Sequence, residues 1–244
     1  MNILGISCDY HDSAAALIQD GTLVAAAQEE RFTRIKNDAS FPKQAIAFCL
    51  DTAQITSHQL DYVAFYEKPF QKFHRILLSA LATYPKSLPF FISAMRSFLL
   101  NKLWIKNKIL ESVDIPTEKI LFAPHHLSHA ASAYFSSPYR ESTIVTIDGV
   151  GEWATTTIGR GIGNSIEILA EQRFPHSLGL LYSTFTAFLG FEVNEGEYKV
   201  MGMAPFGKPR YKDNVYQLVK RYADASFRLN LDYYKAGEVL DLSG

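Results

Sequence analysis

The segment NILGISCDYHDSAAALIQDGTLVAAAQ, at residues 2–28, decides how the chain begins to fold. It contains three short apolar runs, at residues 2–9, 13–19 and 22–28. The polar turn Asp9-Tyr10-His11-Asp12 separates the first run from the second, and Asp20-Gly21 separates the second from the third. Asp-Gly between two strands is typical of the two-residue type I′ turn of a β-hairpin. We therefore predict an antiparallel meander of three strands.

The rest of the chain alternates between helix-like and strand-like segments. After Pro42, the apolar residues Ile46, Cys49, Leu50 and Ala53 follow the i, i+3, i+4, i+7 spacing of one helix face. Further strands are predicted at 61–66, 120–123, 142–148, 154–159 and 165–171, and further helices at 125–136, 177–188 and 213–222, with a loop-rich segment at 195–207. This alternation is typical of an α/β fold.

Two further patterns bear on the fold. A strand runs into an acidic turn at Asp9 and again at Asp148, and two predicted strands follow each time. A duplicated α/β domain would produce such a weak internal similarity in the sequence. In the helix predicted at 177–188, four apolar residues are expected to face the core: Leu178, Leu181, Phe185 and Phe188.

The composition changes between Lys68 and Leu110. This stretch contains no Asp or Glu and eight basic residues: Lys68, Lys72, Arg75, Lys86, Arg96, Lys102, Lys106 and Lys108. Its apolar residues have helical spacing, broken at Pro85 and Pro89, so we expect an inserted helical layer at about 68–112. The layer could face an anionic surface, but the simpler interpretation is a helical cover whose Lys and Arg heads stay in water.

The overall composition argues against several classes of protein. Apolar residues make up 48% and charged residues 20% of the chain, which is typical of a globular protein. The net charge of −1 gives no support to a general nucleic-acid binder. Cys8 and Cys49 cannot form a disulfide framework, so buried, reduced thiols in a cytoplasmic protein are expected. We expect neither a signal peptide nor a transmembrane segment.

The most specific local signal is His125-His126-Leu127-Ser128-His129. His125 and His129 are four residues apart, so on a helix both imidazoles lie on one face and can reach one metal ion. A carboxylate is the usual third ligand, and Asp148 is the best candidate because it ends a strand just before Gly149. The alternative is a helix whose histidines form hydrogen bonds to core groups.

Two other segments contain candidate ligand-binding residues. Asp148-Gly149-Val150-Gly151-Glu152 follows a strand, so its amides could bind phosphate oxygens and its carboxylate a cation; a plain tight turn is the alternative. In the segment 195–207, Lys199 and Gly202 stand among glycine and apolar residues, which suggests close approach of the backbone to an anionic ligand. An irregular connection packed by its Met and Phe side chains would have the same composition.

His11 and Lys36 are candidates for a reactive site. His11 lies between Asp9 and Asp12 in the first turn, where it could act as a base or a proton shuttle. Lys36 ends the dense charged segment 29–36, for which a solvated loop is the simpler interpretation.

Taken together and in this order, the motifs resemble the O-carbamoyltransferases of the nodulation and antibiotic-tailoring type. The resemblance covers nearly the whole chain and rests on five segments: Leu4-Gly5-Ile6 with residues 11–16, residues 27–36, His125 to Ala130, Asp148 to Glu152, and Glu197 to Gly202. That family belongs to the actin-like, sugar-kinase-like ATPase superfamily and is similar to the transferase that makes threonylcarbamoyladenosine on tRNA. The resemblance therefore implies an α/β fold with ribonuclease-H-like subdomains.

The resemblance also implies a reaction and roles for particular residues. Carbamoyl phosphate and ATP form a carbamoyl adenylate, and the carbamoyl group passes to a hydroxyl of a sugar or natural product. His125, His129 and Asp148 correspond to the ligands of an iron-like divalent metal, with Zn²⁺, Mn²⁺ or Mg²⁺ as other candidates. His11 and Lys36 correspond to transfer-site residues. The nucleotide is expected near five residues: Gly149, Gly151, Glu152, Lys199 and Gly202.

Members of the family are much longer than 244 residues. We expect a first actin-like subdomain at 1–140, which contains the basic insertion, and an incomplete second subdomain at 141–244. The continuation of the second actin-like half would then supply a further metal-ligating aspartate and most of the adenosine pocket. A separate C-terminal domain, or a partner subunit, would make the adenylate. Two alternatives stay open: a sugar-kinase-like phosphotransferase on the same fold, and a non-catalytic domain that binds a nucleotide or a partner.

Overall fold

The computed structural model describes residues 1–100 and 104–233. Lys102 of the predicted basic insertion and residues 234–244 of the predicted second subdomain lie outside the described residues. The strands are β1 Asn2–Ser7, β2 Ala14–Gln19, β3 Thr22–Gln28, β4 Tyr62–Phe65, β5 Ile120–Phe122, β6 Glu141–Ile147, β7 Ala154–Ile162, β8 Ser165–Arg173, β9 Val219–Arg221 and β10 Phe227–Leu229. The α-helices are α1 Glu30–Thr33, α2 Lys43–Ala53, α3 Pro69–Ala82, α4 Leu88–Leu100, α5 Ile105–Ser112, α6 His125–Tyr134, α7 Leu178–Phe188, α8 Glu197–Met203 and α9 Lys212–Gln217.

The chain has a mixed α/β fold, as predicted, and divides into two compact units. Unit 1 comprises residues 1–70 and 95–125, and unit 2 comprises residues 71–94 and 126–244. The subdomain boundary expected after residue 140 stays a prediction. Helices α3, α4 and α5 occupy the stretch for which a helical insertion was predicted.

Within the described residues, unit 1 is built on a five-stranded sheet with the order β3-β2-β1-β4-β5. Strands β1, β2 and β3 pair antiparallel, whereas β4 and β5 continue the sheet in parallel with β1. The turn between β2 and β3 consists of Asp20 and Gly21, with φ angles of 48° and 83°. Because a type I′ turn requires positive φ at both central residues, the predicted meander and its turn are confirmed.

The core of unit 1 lies between the sheet and its helices, with α2 packed against β2 and β3. Its most buried side chains, each at most 2% exposed, include Leu4, Leu17, Leu60, Val63, Ile105 and Ile109. Cys8 and Cys49 belong to the same cluster, so the prediction of buried thiols is confirmed. The buried carboxylate of Glu29 accepts hydrogen bonds from the amides of Gln44 and Ala45 and so caps the first turn of α2.

Unit 2 contains the antiparallel sheet β6-β7-β8, with the α6 residues Ala130 and Tyr134 packed against Ile144. Gly161 of β7 allows this packing, because a Cβ atom at that position would lie 2.6 Å from Cε2 of the Tyr134 ring. The Tyr134 hydroxyl donates to the carbonyl of Arg140 at 2.7 Å, which fixes the end of α6 next to the start of β6.

Several predictions about the second half of the chain are wrong. Phe188 was expected in the core but is 83% exposed, because α7 presents Leu180 and Leu181 to the interior instead. The segment 195–207, expected to be loop-rich, forms α8 and a 3₁₀ turn at Ala204–Phe206.

The helix predicted at 213–222 is also shorter than expected. Helix α9 ends at Gln217, and the following residues form β9, which pairs antiparallel with β10. A helical apolar pattern cannot detect this outcome, since the pairing depends on a strand several residues further along the chain.

Not all basic side chains of the helical layer at about 68–112 are exposed to solvent. Lys72 and Arg75 of α3 are 7% and 1% exposed, respectively. The Arg75 guanidinium lies over the Phe174 ring, 5.3 Å from its centre. The solvated-cover interpretation is therefore wrong for these two residues, while Arg96 is exposed as expected.

Candidate metal centre

The parallel strands of unit 1 place polar side chains at one edge of its sheet. Strands β1, β4 and β5 run in the same direction, so the segments that follow their carboxyl ends lie side by side. Asp9 follows β1, Glu67 follows β4 and His125 follows β5. Such edges are where open α/β sheets commonly bind ligands.

Helix α6 brings the two predicted histidine ligands to one face. It begins at His125, so His129 lies one turn further along the helix. Asp148 follows β6 directly, and its Oδ2 lies 3.5 Å from Nε2 of His129. One ligand atom from each of these three residues lies within 4.8 Å of the other two. The structure thus brings His125, His129 and Asp148 together as the sequence predicted.

The donor set fits a transition-metal ion. Two ligand atoms that bind one ion at about 2.1 Å are about 3.4 Å apart when the coordination is tetrahedral. The distance between His129 and Asp148 already matches this spacing, and a ligand atom of His125 lies within 4.8 Å of both. Imidazole nitrogens suit iron, zinc and similar ions, and a carboxylate is a common companion ligand.

Hydrogen bonds and charge orient the Asp148 carboxylate. Its Oδ1 accepts from the Gly149 amide at 2.7 Å, which turns Oδ2 toward His129. The hydrogen bond and the negative charge of Asp148 raise the pKa of the His129 imidazole, against the opposing effect of burial. The negative charge of Asp148, which favours the protonated imidazole, would equally attract a metal cation bound to His129.

Glu67 is a neighbour of the site that sequence reasoning missed. The residue is 4% exposed, and its Oε2 lies 4.0 Å from Nδ1 of His125, an ion-pair distance rather than a hydrogen bond. A carboxylate near Nδ1 favours the tautomer with its proton on Nδ1. In this tautomer the lone pair lies on Nε2, which can then bind a metal ion. The position of Glu67, two residues after a parallel strand, is the signal that could have identified it.

His126 has a structural role in the same helix. Its buried ring forms hydrogen bonds to Thr146 Oγ1 at 2.6 Å and to the carbonyl of Ala154 at 2.8 Å. The carbonyl can only accept, so Nε2 carries a proton, and in the neutral ring Nδ1 then accepts from the Thr146 hydroxyl. The alternative of a histidine bonded to core groups therefore describes His126, while its neighbours His125 and His129 lie with Asp148.

In the turn 148–152, the amides of both glycines form hydrogen bonds within the protein. The Gly149 amide donates to Asp148, and the Gly151 amide donates to the Ala154 carbonyl at 2.9 Å. Glu152 is buried. The predicted contact of Gly149, Gly151 and Glu152 with a nucleotide stays a prediction.

His11 and Lys36 lie in neighbouring segments of unit 1. The first turn and the segment after Lys36 are joined by two backbone hydrogen bonds, from Asp9 N to Ala39 O and from Ser13 N to Asp38 O. His11 Nδ1 pairs with Asp12 Oδ2 at 2.8 Å. The half-exposed ring of His11 and the exposed Lys36 side chain are both accessible from solvent.

The remaining predicted ligand-binding residues lie on α8. The ammonium group of Lys199 lies 5.9 Å from the centre of the Phe191 ring and 5.8 Å from that of Tyr198. A Cβ atom on Gly202 would meet nothing within 4 Å, so no neighbour in the described structure requires glycine there. Their assignment to ligand binding stays a prediction.

The family model described as carbamoyltransferase N-terminus matches residues 2–242. The chain belongs to this family.

Two relatives show how much of a carbamoyltransferase-family protein this chain represents. The uncharacterized protein sll1178 of Synechocystis sp. is 51% identical over 243 residues, which cover 96% of this chain and 39% of that protein. Nodulation protein NolNO of Sinorhizobium fredii is 33% identical over 225 residues, which cover 91% of this chain and 32% of that protein. The chain thus spans well under half the length of either relative.

The mixed α/β fold of this carbamoyltransferase N-terminal chain also resembles solved structures. YeaZ from Pseudomonas aeruginosa is 12% identical, with a TM-score of 0.40 and coverage of 72% of this chain and 68% of that one. Component A of (R)-2-hydroxyglutaryl-CoA dehydratase from Acidaminococcus fermentans is 13% identical, with a TM-score of 0.42 and coverage of 86% and 70%. These similarities concern the fold alone. None of the described helices is long and apolar enough to cross a membrane.

Proposed function

We propose that this chain is the N-terminal part of an ATP-dependent O-carbamoyltransferase. In the proposed reaction, ATP, carbamoyl phosphate and water form carbamoyl adenylate, pyrophosphate and phosphate, and the carbamoyl group then passes to a hydroxyl of a sugar or natural product. The strongest support is the convergence of His125, His129 and Asp148 in a chain that belongs to the carbamoyltransferase N-terminal family.

The three convergent residues would hold a divalent metal ion. When bound, such an ion supplies positive charge that neutralises phosphate oxygens of the adenylate. Two imidazole ligands favour an iron-like ion, Zn²⁺ or Mn²⁺ over Mg²⁺, which prefers oxygen ligands. A further aspartate is expected from the part of the family's proteins that this chain does not cover.

His11 is the proposed base of the transfer step. Asp12 accepts a hydrogen bond from Nδ1, so Nε2 keeps the lone pair that can take the proton of the acceptor hydroxyl. The acceptor oxygen forms a bond to the carbamoyl carbon as the bond from that carbon to the phosphate oxygen breaks, and AMP leaves with the electron pair. Lys36 would balance the negative charge that develops on the carbamoyl oxygen.

A sugar-kinase-like phosphotransferase is the second candidate. Transfer of a γ-phosphate on this fold needs an acidic base and Mg²⁺ but no histidine ligands, so the His125 and His129 pair favours carbamoyl transfer. A non-catalytic domain is the third candidate, because the chain covers only 39% and 32% of its two relatives. Such a domain would bind an ATP analogue in a calorimeter without turning over carbamoyl phosphate.

The metal content of the purified chain tests the proposal. We expect wild type to hold a divalent metal, measured by elemental analysis, and the double variant His125→Ala plus His129→Ala to lose it, because only one of the three ligands remains. His58→Ala is the matched control, since His58 is an exposed histidine that pairs with Asp114 away from this site. Equal metal in wild type and in the double variant would contradict the assignment of these ligands.

A further inference from the structure

The Asp148 carboxylate is positioned by the start of helix α7. Ser177 is the N-cap of that helix, and its hydroxyl accepts from the amide of Leu180 at 3.0 Å. The single proton of the same hydroxyl is shared between two carbonyl oxygens, that of Gly149 at 2.6 Å and that of Asp148 at 3.1 Å. This fully buried serine thus connects the first turn of α7 to the backbone carbonyls of both Asp148 and Gly149.

Gly179 allows this close approach. A Cβ atom at position 179 would lie 2.4 Å from the carbonyl oxygen of Asp148 and 2.6 Å from the amide nitrogen of Gly149. Alanine is about 1 kcal/mol more favourable than glycine inside a helix, so local preference alone gives no reason for glycine here. The contact with the Asp148–Gly149 peptide gives that reason.

The residue before Ser177 is anchored separately. The buried hydroxyl of Thr155, in β7, donates to the carbonyl of His176 at 2.7 Å. Asp148 is itself bonded to the same strand, through its amide and the carbonyl of Thr155 at 2.9 Å. Both sides of the contact are therefore tied to β7, and neither can move away without breaking a buried hydrogen bond.

We propose that Ser177 and Gly179 are positioning residues that aim the Asp148 carboxylate at a metal ion shared with His125 and His129. This inference rests on the metal site of the proposed function. The direction of the carboxylate depends on the position of the Asp148 backbone. Ser177 forms hydrogen bonds to this backbone, and Gly179 leaves room for helix α7 to contact it. Metal–ligand distances in proteins stay within about 0.2 Å of their standard values, so the bound site requires a well-defined carboxylate position. An alanine at 179 needs about 1 Å of movement, the difference between 2.4 Å and an ordinary 3.4 Å contact.

The test is a titration of the full chain with Co²⁺, followed by the visible absorption of the bound ion. We expect Gly179→Ala and Ser177→Ala each to weaken Co²⁺ binding about 10- to 100-fold, the usual effect of removing a residue that orients a ligand. Both variants should also change the Co²⁺ spectrum, because a displaced carboxylate alters the coordination. Loss of stability alone would lower the unfolding temperature and leave the spectrum of the bound ion unchanged.

Two control variants separate positioning from general damage. Ser183→Ala removes another serine of α7, one that donates to Glu197 rather than to the Asp148 backbone. Gly5→Ala adds a Cβ that would meet only Ala16 O, at 3.7 Å. We expect both controls to bind Co²⁺ like wild type.

The outcomes distinguish the two proposals. If wild type binds no Co²⁺, the metal site of the proposed function is wrong. If wild type binds and both Ser177→Ala and Gly179→Ala match it in affinity and spectrum, the positioning role is wrong and the metal site stands. Should Gly179→Ala fail to fold, Ser177→Ala decides alone, because it removes atoms and introduces no clash.

Discussion

Adjacent histidines in α6 have opposite roles because successive residues on a helix point in directions about 100° apart. His125 and His129 share a face and meet Asp148, whereas His126 turns inward to Thr146 and Ala154. The four-residue spacing and the end of a strand were enough to predict the candidate ligands. Ser177 and Gly179 could not be found in the same way, because they act through a contact with a segment about thirty residues earlier in the chain.

His176 makes stability depend on pH. Its Nδ1 accepts from the amide of Leu229 at 3.2 Å, and burial together with the positive charge of Arg228 lowers its pKa from 6.5. Between the lowered pKa and 6.5 the unfolded chain binds more protons than the folded one, so stability rises with pH there. This contribution is complete above pH 6.5 and is lost as the pH falls through the folded-state pKa.

We therefore expect His176→Asn to make stability less dependent on pH. The Asn side-chain oxygen can accept from Leu229 but does not titrate. Urea unfolding at pH 7.5 and pH 5.0 measures the free-energy difference, which should be smaller for the variant than for wild type. The exposed His58→Asn is the control, and an unchanged difference in His176→Asn would contradict the role of this histidine.

Among the elements, hairpins and periodic helices were the most predictable. Asp20-Gly21 specifies its own turn, and the apolar face of α2 follows from spacing alone. Helix α9 was predicted five residues too long, because β9 forms only by pairing with β10. Helix α8 was missed because Gly196 before it, Gly202 within it and Pro205 after it are residue types typical of loops.

Helix α2 depends on a carboxylate from outside its own sequence. Glu29 accepts from the amides of Gln44 and Ala45, two of the donors that a helix start leaves without partners. We expect Glu29→Ala to lower the free energy of unfolding by about 1–3 kcal/mol, with Glu29→Gln between that variant and wild type. Chemical denaturation measures the change.

The matched control is Glu118→Ala. Glu118 is exposed, and surface substitutions usually change stability by less than about 0.5 kcal/mol. If Glu29→Ala and Glu118→Ala were equally stable, the Glu29 carboxylate would not be the cap that stabilises α2.

For the molecule as a whole, composition indicated a folded protein with a helical insertion but not which of its charges would be buried. Lys72 and Arg75 stand in a stretch without any acidic residue, so the sequence pattern favoured solvated heads. Their burial depends on partners brought close by the fold, such as the Phe174 ring beneath Arg75. Local composition does not contain that information.

The length of the relatives sets an expectation for activity. We expect the purified 244-residue chain to consume no ATP in the presence of carbamoyl phosphate, because the step that makes the adenylate is assigned to a part of the family's proteins outside this chain. A coupled assay for pyrophosphate release measures this, because formation of an adenylate from ATP releases pyrophosphate, whereas AMP leaves only in the transfer step. Sustained turnover by the 244-residue chain would contradict the proposed division of labour.

The reactivity of the buried thiols of unit 1 should measure how often the core of this unit opens. Cys8 and Cys49 lie in one cluster, and burial raises the pKa of both thiols, so little thiolate forms in the folded protein. An alkylating reagent should therefore modify these sulfurs only when the cluster opens. Because neither cysteine is among the three residues of the candidate metal centre, we expect the labelling rate to follow the opening of this core without altering the candidate ligands on α6.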